Sequence, residues 1–537
     1  MKTLALRILL LIIVTVLVAS PSVGQTEIPG GNVSGSWTVL NSPYRINGEI
    51  TIPDGTTLTI EPGVEVVFMG HYKFNVQGRL LAVGSQQDLI HFTANDPQTG
   101  WHGIRFNNTP GANDTSRIIY CELTNGKANT GLSYGLDRCG GAILIDAFNK
   151  VVVAHCLFHS NMNSGDISTA VGGAAIFVQS ASPIIRDNTF SNNTGTTDCS
   201  IMSNSGNVVI SHNVFTHSSG PHGPIVCAYS SPIISDNIVS DNVTTRAGGG
   251  IFTISTTAII TNNIIINNRC SGGEGEGGGI KCWINDRPII INNTIAYNSA
   301  THGGGICCNQ NADPLLINNI LWGNVSNDGN QVNCLEGASD PDFYFCDIQG
   351  GKGEFRGSGA GDYYTGTYEN NVDCDPMFND APSGNFSLSD NSPCLSAAID
   401  SLKVAGVWYR VPPTCCMGNP RPSPADSKPD IGACENLLAT SVVGKVRTHP
   451  EEFALCQNCP NPFNPATIIQ YTIVNSQFTI LRVYDILGCE VATLVNEKKA
   501  PGSYTVPFNA SGLASGVYLY RLQAGSFVQT KRMLVLK

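Results

Sequence analysis

A cluster of charged residues surrounds the glycine-rich stretch SGGEGEGGG near the middle of the chain. The cluster consists of Glu274, Glu276, Lys281, Asp286, Arg287 and His302. Carboxylates beside a lysine, an arginine and a histidine are the residue types that carry general acid and base chemistry. These residues are therefore candidates for a catalytic site. The alternative interpretation is a solvated loop that carries ordinary surface charges.

Two residues of this region are candidates for sugar binding, Trp283 and Asp286. An aromatic ring can stack on a sugar, and charged groups can hydrogen-bond to a uronate. Lys281 and Trp283 alternate with Cys282, so in a strand both would point outward while Cys282 points inward. Three other histidines are predicted to be surface or capping residues: His155, His212 and His222.

The candidates lie within a repeat that is marked by one asparagine in segments such as IIRDNTFSNN and IIINNTIAYN. The asparagine recurs at steps of 25, 24, 26, 30 and 26 residues, which is a solenoid period. Its members are Asn188, Asn213, Asn237, Asn263, Asn293 and Asn319. Asparagine tolerates a left-handed backbone conformation, and its amide can hydrogen-bond to the equivalent amide in the next coil. The pattern therefore predicts an internal asparagine ladder at a corner between strands.

A glycine cluster precedes the first strand of each unit, as in GGGI at Gly248, Gly277 and Gly303. Glycine there permits the sharp turn that starts a new coil. Coils of this kind stack as parallel strands about 4.8 Å apart, so about seven to ten coils predict a rod roughly 35 to 50 Å long. Cysteine takes the asparagine position at Cys121, Cys156 and Cys346. We interpret these thiols as structural stacking, and metal or redox chemistry is the alternative.

Residues 40 to 350 resemble the pectate-lyase-like superfamily of right-handed parallel β-helices. The glycine clusters and the asparagine segments carry this resemblance. The resemblance implies an all-β fold with a right-handed parallel β-helix solenoid. The GGAI openings and FxxN segments are also similar to the repeats of polymorphic outer-membrane proteins. Pectin-cleaving relatives are implied to use Ca²⁺-binding carboxylates with a lysine or arginine base, or three aspartates with a histidine. The hydrolase signatures NTD, DD, GHG and RIK are absent. The resemblance therefore favours a lyase-type site around Lys281, for which Ca²⁺ would be the cofactor; no metal site is identifiable from the residues.

The N-terminus indicates export. Lys2 and Arg7 precede an apolar run from Ile8 to Val18 and then small residues, the layout of a secretory signal peptide over residues 1–24. A membrane anchor is the alternative, although the run is shorter than the roughly 18 to 20 residues that a bilayer needs. The net charge of −11 excludes a general electrostatic basis for binding nucleic acid.

The C-terminal third contains two further predicted units. Residues 351–438 carry DCDPMFND, SPC and DIGACE, which resemble the segment that often follows such helices, and we interpret them as a cap. One or two disulfides are expected among its cysteines, which are Cys374, Cys394, Cys415, Cys416 and Cys434. After a linker at 439–452, residues 453–537 predict a small β-sandwich. QNxPNPFNP, VYDILG and LASGVY within it are similar to the type IX secretion sorting domain.

The sorting domain departs from the family at Cys459 and Cys489, where an aromatic and a polar residue are usual. Cys456 and Cys459 form a CxxC motif, for which a local disulfide, free thiols or a metal half-site remain open. The resemblance implies a protein that crosses the outer membrane to the cell surface through type IX secretion machinery. There the sorting domain would be cleaved and replaced by a lipopolysaccharide anchor.

The predicted organisation is a signal peptide, an N-terminal cap with first coils (25–106), a β-helix (107–350), the capping segment, the linker and the sorting domain. Three functions remain open. The protein is a monomeric surface protein that binds polysaccharide or acts as an adhesin, a polysaccharide lyase or hydrolase acting on an acidic glycan, or a structural envelope component.

Overall fold

The computed structural model describes residues 24–131, 135–164, 172–437, 453–455, 457–458, 461, 463–486 and 488–536. Residues 1–23 of the predicted signal peptide, the predicted linker and the pair Cys456 and Cys459 lie outside the described residues. The described part contains strands and five short 3₁₀ turns: Val39–Asn41, Leu136–Arg138, Lys352–Glu354, Gly361–Tyr363 and Ala381–Ser383. Within it, no helix has the length and apolar character that crossing a membrane requires.

The predicted all-β solenoid is confirmed: short strands wind into a right-handed parallel β-helix of about 12 turns. Each turn contributes one strand to each of three long sheets. The strands of sheet 1 are Thr26–Ile28, Tyr44–Ile46, Glu65–Phe68, Ile90–Ala94, Cys121–Thr124, Leu157–His159, Thr189–Ser191, Val214–Thr216, Ile238–Ser240, Ile264–Ile266, Thr294–Ala296, Ile320–Trp322 and Asp347–Ile348. The strands of sheet 2 are Gly31–Asn32, Ile50–Ile52, Phe74–Val76, Ile104–Phe106, Ile143–Asp146, Ile176–Gln179, Ile201–Asn204, Ile225–Ala228, Ile251–Ile254, Ile280–Trp283, Ile306–Asn309 and Val332–Cys334.

The strands of sheet 3 are Gly35–Trp37, Thr57–Ile60, Arg79–Val83, Ser116–Ile119, Val151–Ala154, Ile184–Arg186, Val209–Ser211, Ile233–Ser235, Ile259–Thr261, Ile289–Ile291, Leu315–Ile317, Asp342–Tyr344 and Tyr368–Glu369. A fourth sheet of short strands forms between sheets 1 and 2 in the later coils. The strands of sheet 4 are Lys127–Ala128, Met162–Asn163, Thr194–Gly195, Ser219–His222, Val243–Ala247, Arg269–Cys270, Ser299–His302 and Val325–Asp328.

The solenoid is longer than the sequence pattern indicated. Sheet 1 has 13 strands among the described residues. At about 4.8 Å per coil this corresponds to roughly 58 Å, beyond the 35 to 50 Å predicted. The early coils lack the asparagine that marks the later ones, so the repeat did not reveal them. The stacking also extends to Glu369, past the predicted boundary at residue 350.

One apolar core runs along the axis of the solenoid. Alternate residues of every strand point into it, so equivalent side chains lie above one another in successive coils. Phe158, Phe190 and Phe215 stack with ring centroids 4.7 Å apart at each step. This spacing matches the separation of the strands, so the rings can stack while the strands keep their backbone hydrogen bonds.

The asparagine ladder is continuous. The Nδ2 of Asn188 donates to the Oδ1 of Asn213 over 2.9 Å, and the same bond is repeated through Asn237, Asn263, Asn293 and Asn319 at 2.9–3.0 Å. Cysteine replaces asparagine at both ends. The N–H of Cys156 donates to Asn188, and the N–H of Asn319 donates to the Sγ of Cys346. The left-handed conformation lies one residue earlier than predicted, at residues such as Asp187 and Asn262, with φ of 58° and 57°.

A second ladder, which the sequence analysis missed, follows at the other end of each sheet 1 strand. The Nδ2 of Asn242 donates to the Oδ1 of Asn268, and the chain continues to Asn298 and Asn324 at 2.9–3.0 Å. These asparagines are all buried. In these coils sheet 1 is therefore bordered on both edges by a row of amide hydrogen bonds.

The predicted capping segment divides into two parts. Its first part closes the open end, because Phe355 and Tyr364, which each follow a 3₁₀ turn, are part of the main core cluster. The second part contains the hairpins Phe378–Asp380 with Asn385–Leu388 and Ser401–Val404 with Val407–Arg410. It packs beside the last coils, against outward residues of sheets 1 and 3 such as Ile264. We call residues 374–436 the side segment.

A buried ion pair and a close backbone approach fix the side segment to the solenoid. Arg421 and Glu435 pair over 3.0 Å with both side chains fully buried, and Arg421 also donates to Asn262 Oδ1 over 2.6 Å. Gly432 donates to the carbonyl of Asn318, and a Cβ there would lie 2.6 Å from the side chain of Ile320. The DIGACE motif therefore supplies the contacts of a lateral brace. Cys374 is disulfide-bonded, whereas Cys394, Cys415, Cys416 and Cys434 are free.

The C-terminal region forms two antiparallel sheets around its own core, in agreement with the predicted small β domain. The three-stranded sheet consists of Ala454–Leu455, Ala466–Ile473 and Gly502–Asn509. The four-stranded sheet consists of Glu490–Lys499, Gln477–Tyr484, Gly516–Ala524 and Phe527–Val535.

Candidate functional site: a groove on sheet 2

Sheet 2 carries an apolar strip on its outer face. Two columns of residues point outward, because alternate residues of its strands face away from the core. In the first column Phe177, Met202, Val226, Phe252 and Lys281 occupy equivalent positions of successive coils. Apart from Lys281, these residues form an apolar cluster separate from the axial core.

A groove of about 900 Å³ runs over this strip. Its floor includes Phe252, Ile254 and Trp283, with the rings of Phe252 and Trp283 6.0 Å apart. Residues beside sheet 4 form one wall, and Tyr229, in a turn after sheet 2, stands in the other, 57% exposed. Lining residues come from five successive strands of sheet 2, so the groove extends roughly 19 Å along the axis. A groove of this length can accommodate an extended chain.

The sheet 4 wall carries a column of titratable residues. Asp198, His222, Ala247, Glu276 and His302 occupy equivalent positions in successive coils, and Asp328 follows them. Asp198 pairs with His222 over 3.0 Å, and His302 pairs with Asp328 over 3.4 Å. Asp198 and Asp328 thus each contact a histidine of the adjacent coil.

Lys281 points outward as predicted, but it is not free. Its side chain is 1% exposed, its ammonium donates to Glu276, and it also lies 3.5 Å from the Sγ of Cys307. Burial alone would lower the pKa of Lys281, but the contacts with Cys307 and Glu276 outweigh it and raise that pKa. An amine held protonated in this way cannot accept a proton from a substrate at neutral pH.

The remaining candidates are placed differently. Glu274 is exposed at the rim of the groove, and Trp283 lies on its floor. Asp286 is fully buried, where it accepts hydrogen bonds from Thr253 and Thr256. Its carboxylate therefore supports a turn and does not reach the groove.

Arg287 lies outside the lining of the groove. It pairs with Asp313 over 3.2 Å and is 66% exposed. His302 belongs to the wall column one coil beyond Glu276. The structure thus brings together Glu274, Glu276, Lys281 and Trp283 and separates Asp286 and Arg287 from them.

Sequence reasoning missed Asp198 and Arg246 as groove residues and took His222 for a surface or capping residue. A signal for the wall column was present: its members lie three or four positions before the first residue of each sheet 2 strand. Aligning the chain on the first residue of those strands, in place of the asparagine, places Asp198, His222, Glu276 and His302 within one position of each other.

The groove does not fit Ca²⁺. Among the described residues no group of three or more His, Cys, Asp or Glu side chains is arranged to hold a metal ion. Glu276 is engaged by Lys281 and Asp198 by His222. A Ca²⁺ ion needs six to eight oxygen ligands, including free carboxylates. No step of the proposed function therefore involves this ion.

Comparison with known proteins agrees with both parts of the fold. Residues 102–284 match the family described as right handed beta helix region, and residues 459–536 match the secretion system C-terminal sorting domain. Among solved structures, the crystal structure of pectate lyase Pel9A is similar at 11% identity, covering 78% of this chain and 98% of that chain, with a TM-score of 0.22. No curated protein matches the chain at a significant level.

The chain folds as a right-handed parallel β-helix, and its C-terminal region matches a secretion sorting domain. The sorting domain indicates secretion to the cell surface or the extracellular space, and it implies an interaction with the type IX secretion machinery.

Proposed function

We propose that this protein binds an extracellular polysaccharide in the groove on sheet 2 and does not cleave it. The observation that carries the proposal is the aromatic and apolar floor formed by Phe252, Ile254 and Trp283. Sugar rings present apolar C–H faces to aromatic side chains, and a groove open along the solenoid axis accommodates an extended chain. The exported architecture places such a surface where polysaccharides occur.

The charges of the groove favour binding over cleavage. A lyase needs an unprotonated base next to a cation that neutralises the uronate carboxylate. Lys281 is held as an ammonium by Glu276 and is 1% exposed. The groove therefore has a surface for recognition, and in it the predicted base Lys281 is engaged by Glu276.

Affinity electrophoresis through gels that contain pectin, alginate, xylan or a cellulose derivative tests the proposal. We expect retardation of the mature protein by at least one polymer, and loss of most of it in Trp283→Ala. Trp408→Ala is the matched control, because Trp408 is 61% exposed on a hairpin of the side segment. Equal retardation of both variants would place binding elsewhere, and no retardation by any polymer would favour a structural envelope role.

Incubation with the same polymers distinguishes binding from cleavage by a lyase. Growth of ultraviolet-absorbing unsaturated ends during incubation with a uronate polymer would establish a lyase, and its persistence in Lys281→Ala would exclude Lys281 as the base.

For export, we propose that the protein crosses the outer membrane as a monomer. There the sorting domain is cleaved and replaced by a lipopolysaccharide anchor. The mass of the surface form tests this, since retention of the residues after 453 would contradict cleavage.

A further inference from the structure

The groove has an unsatisfied hydrogen-bond acceptor in its floor. Asn309 follows Trp283 one coil along the axis and lines the groove. Its residue is 8% exposed, and its Oδ1 has no hydrogen-bond partner among the described residues. A buried acceptor without a partner is costly, and native proteins normally satisfy such groups. A ligand that presents an O–H donor beside the Trp283 ring would satisfy it.

The charges around this acceptor disfavour an acidic ligand. Among the described lining residues three are acidic, Asp198, Glu274 and Glu276, and two are basic, Arg246 and Lys281. The positive charge of Lys281 is taken up by Glu276. A carboxylate on each sugar of a polyuronate can donate no hydrogen bond to the unpaired acceptor when it is ionised, and it would meet a groove whose acids outnumber its bases by one.

We infer that the groove selects an uncharged, hydroxyl-rich polysaccharide and rejects polyuronates. This inference rests on the proposed function, because it assumes that the groove binds a glycan. The ring of Trp283 stacks on a sugar face, Asn309 Oδ1 accepts a hydroxyl hydrogen of the neighbouring sugar, and the pair of Glu276 and Lys281 prevents Lys281 from attracting a uronate carboxylate. The superfamily resemblance implied an acidic glycan, whereas this inference expects an uncharged one.

Matched polymers that differ only in charge test the inference. Polygalacturonate is compared with its fully methyl-esterified form, and carboxymethyl cellulose with hydroxyethyl cellulose. We expect the neutral member of at least one pair to be bound about tenfold more tightly, as relative mobility in affinity gels at low salt. Equal or tighter binding of the acidic members would overturn the inference while the proposed function stands. Binding to none of the polymers would overturn both.

Two variants locate the selection in named side chains. Asn309→Ala is expected to weaken binding of the neutral polymer about three- to tenfold, the value of one hydrogen bond. Asn204→Ala is its control, since Asn204 occupies the same column of sheet 2 outside the groove lining. Equal effects of these two variants would refute the role of Asn309.

Glu276→Gln releases the ammonium of Lys281 and is expected to raise polyuronate binding at least about threefold. Glu336→Gln, at an exposed position, is the control. If Glu276→Gln fails to fold, Lys281→Met tests the same pair from the other side, because it leaves Glu276 unneutralised and should lower polyuronate binding further. Unchanged charge preference in the variant that folds would refute the role of the pair.

Discussion

Replacement of one ladder asparagine tests whether the amide row holds the solenoid together. In Asn263 the Oδ1 accepts the N–H of Asn237 at 3.0 Å and the Nδ2 of Asn237 at 2.9 Å. Asn263→Ala leaves both donors without a partner in a buried corner. Each unsatisfied donor costs about 1–3 kcal/mol, so the free energy of unfolding should fall by about 2–6 kcal/mol.

Cysteine at the same position provides a graded comparison. The chain itself uses Cys346 there, whose Sγ accepts the N–H of Asn319 at 3.4 Å. Asn263→Cys should therefore restore one of the two donors and cost about half as much as Asn263→Ala. Asn32→Ala, on an exposed strand residue, is the control and should change the free energy of unfolding by less than about 0.5 kcal/mol.

Urea unfolding of the mature chain measures these differences, with tryptophan fluorescence reporting the core around the buried Trp101. The order of stability should be wild type, then Asn263→Cys, then Asn263→Ala. An alanine variant as stable as the control would refute the reasoning, since the corner would then satisfy the donors of Asn237 in another way. A cysteine variant as unstable as alanine would refute only the role of the sulfur as an acceptor.

Three further outcomes follow from buried groups. Arg421→Met leaves Glu435 without its ion-pair partner and should cost about 3–5 kcal/mol, with faster proteolysis in the side segment; unchanged digestion would contradict the brace. Burial raises the pKa of Asp286 from 3.8 to about 6, so the folded chain holds this proton more tightly than the unfolded chain. Its contribution to stability is then complete below about pH 4 and lost as the pH rises through about 6. Asp286→Asn should flatten the pH dependence of unfolding by about 3 kcal/mol, whereas parallel curves would contradict this assignment. Phe355→Ala should open the C-terminal end of the core and cost about 3–5 kcal/mol with concentration-dependent association in sedimentation; a monomer of native stability would show that Phe355 is not the cap.

Features that repeat from coil to coil could be predicted from the sequence. Asn263 and its equivalents recur because each amide bonds to the same atom of the next coil. The interval between them in the sequence therefore equals the length of one coil. The outward direction of Lys281 follows in the same way from its alternation with Cys282, which lies in the axial core. These predictions need only one coil and its neighbour.

Features that depend on pairing across loops of variable length could not be predicted. Lys281 is buried because Glu276, in the sheet 4 wall, reaches over it. Asp286 follows Trp283 by three residues, yet the turn directs its carboxylate to Thr253 and Thr256. The contact between Arg421 and Asn262 spans 159 residues and has no repeat to reveal it. A sequence thus shows which residues of a glycine-rich loop are charged, but it does not show which residues pair with them.

The lateral position of the side segment bears on how the solenoid can change in length over evolution. The ladder asparagines from Asn188 to Asn237 bond from each coil to the next, so duplication of one 24- or 25-residue unit would repeat the same bonds and lengthen the rod by one step. The coils from Asn262 to Asn318 lack this freedom, because Arg421 and Gly432 contact those two positions at a fixed separation. The side segment therefore fixes the number of coils between its two contact points. Gain and loss of coils should be found on its N-terminal side, where they would also alter the length of the groove.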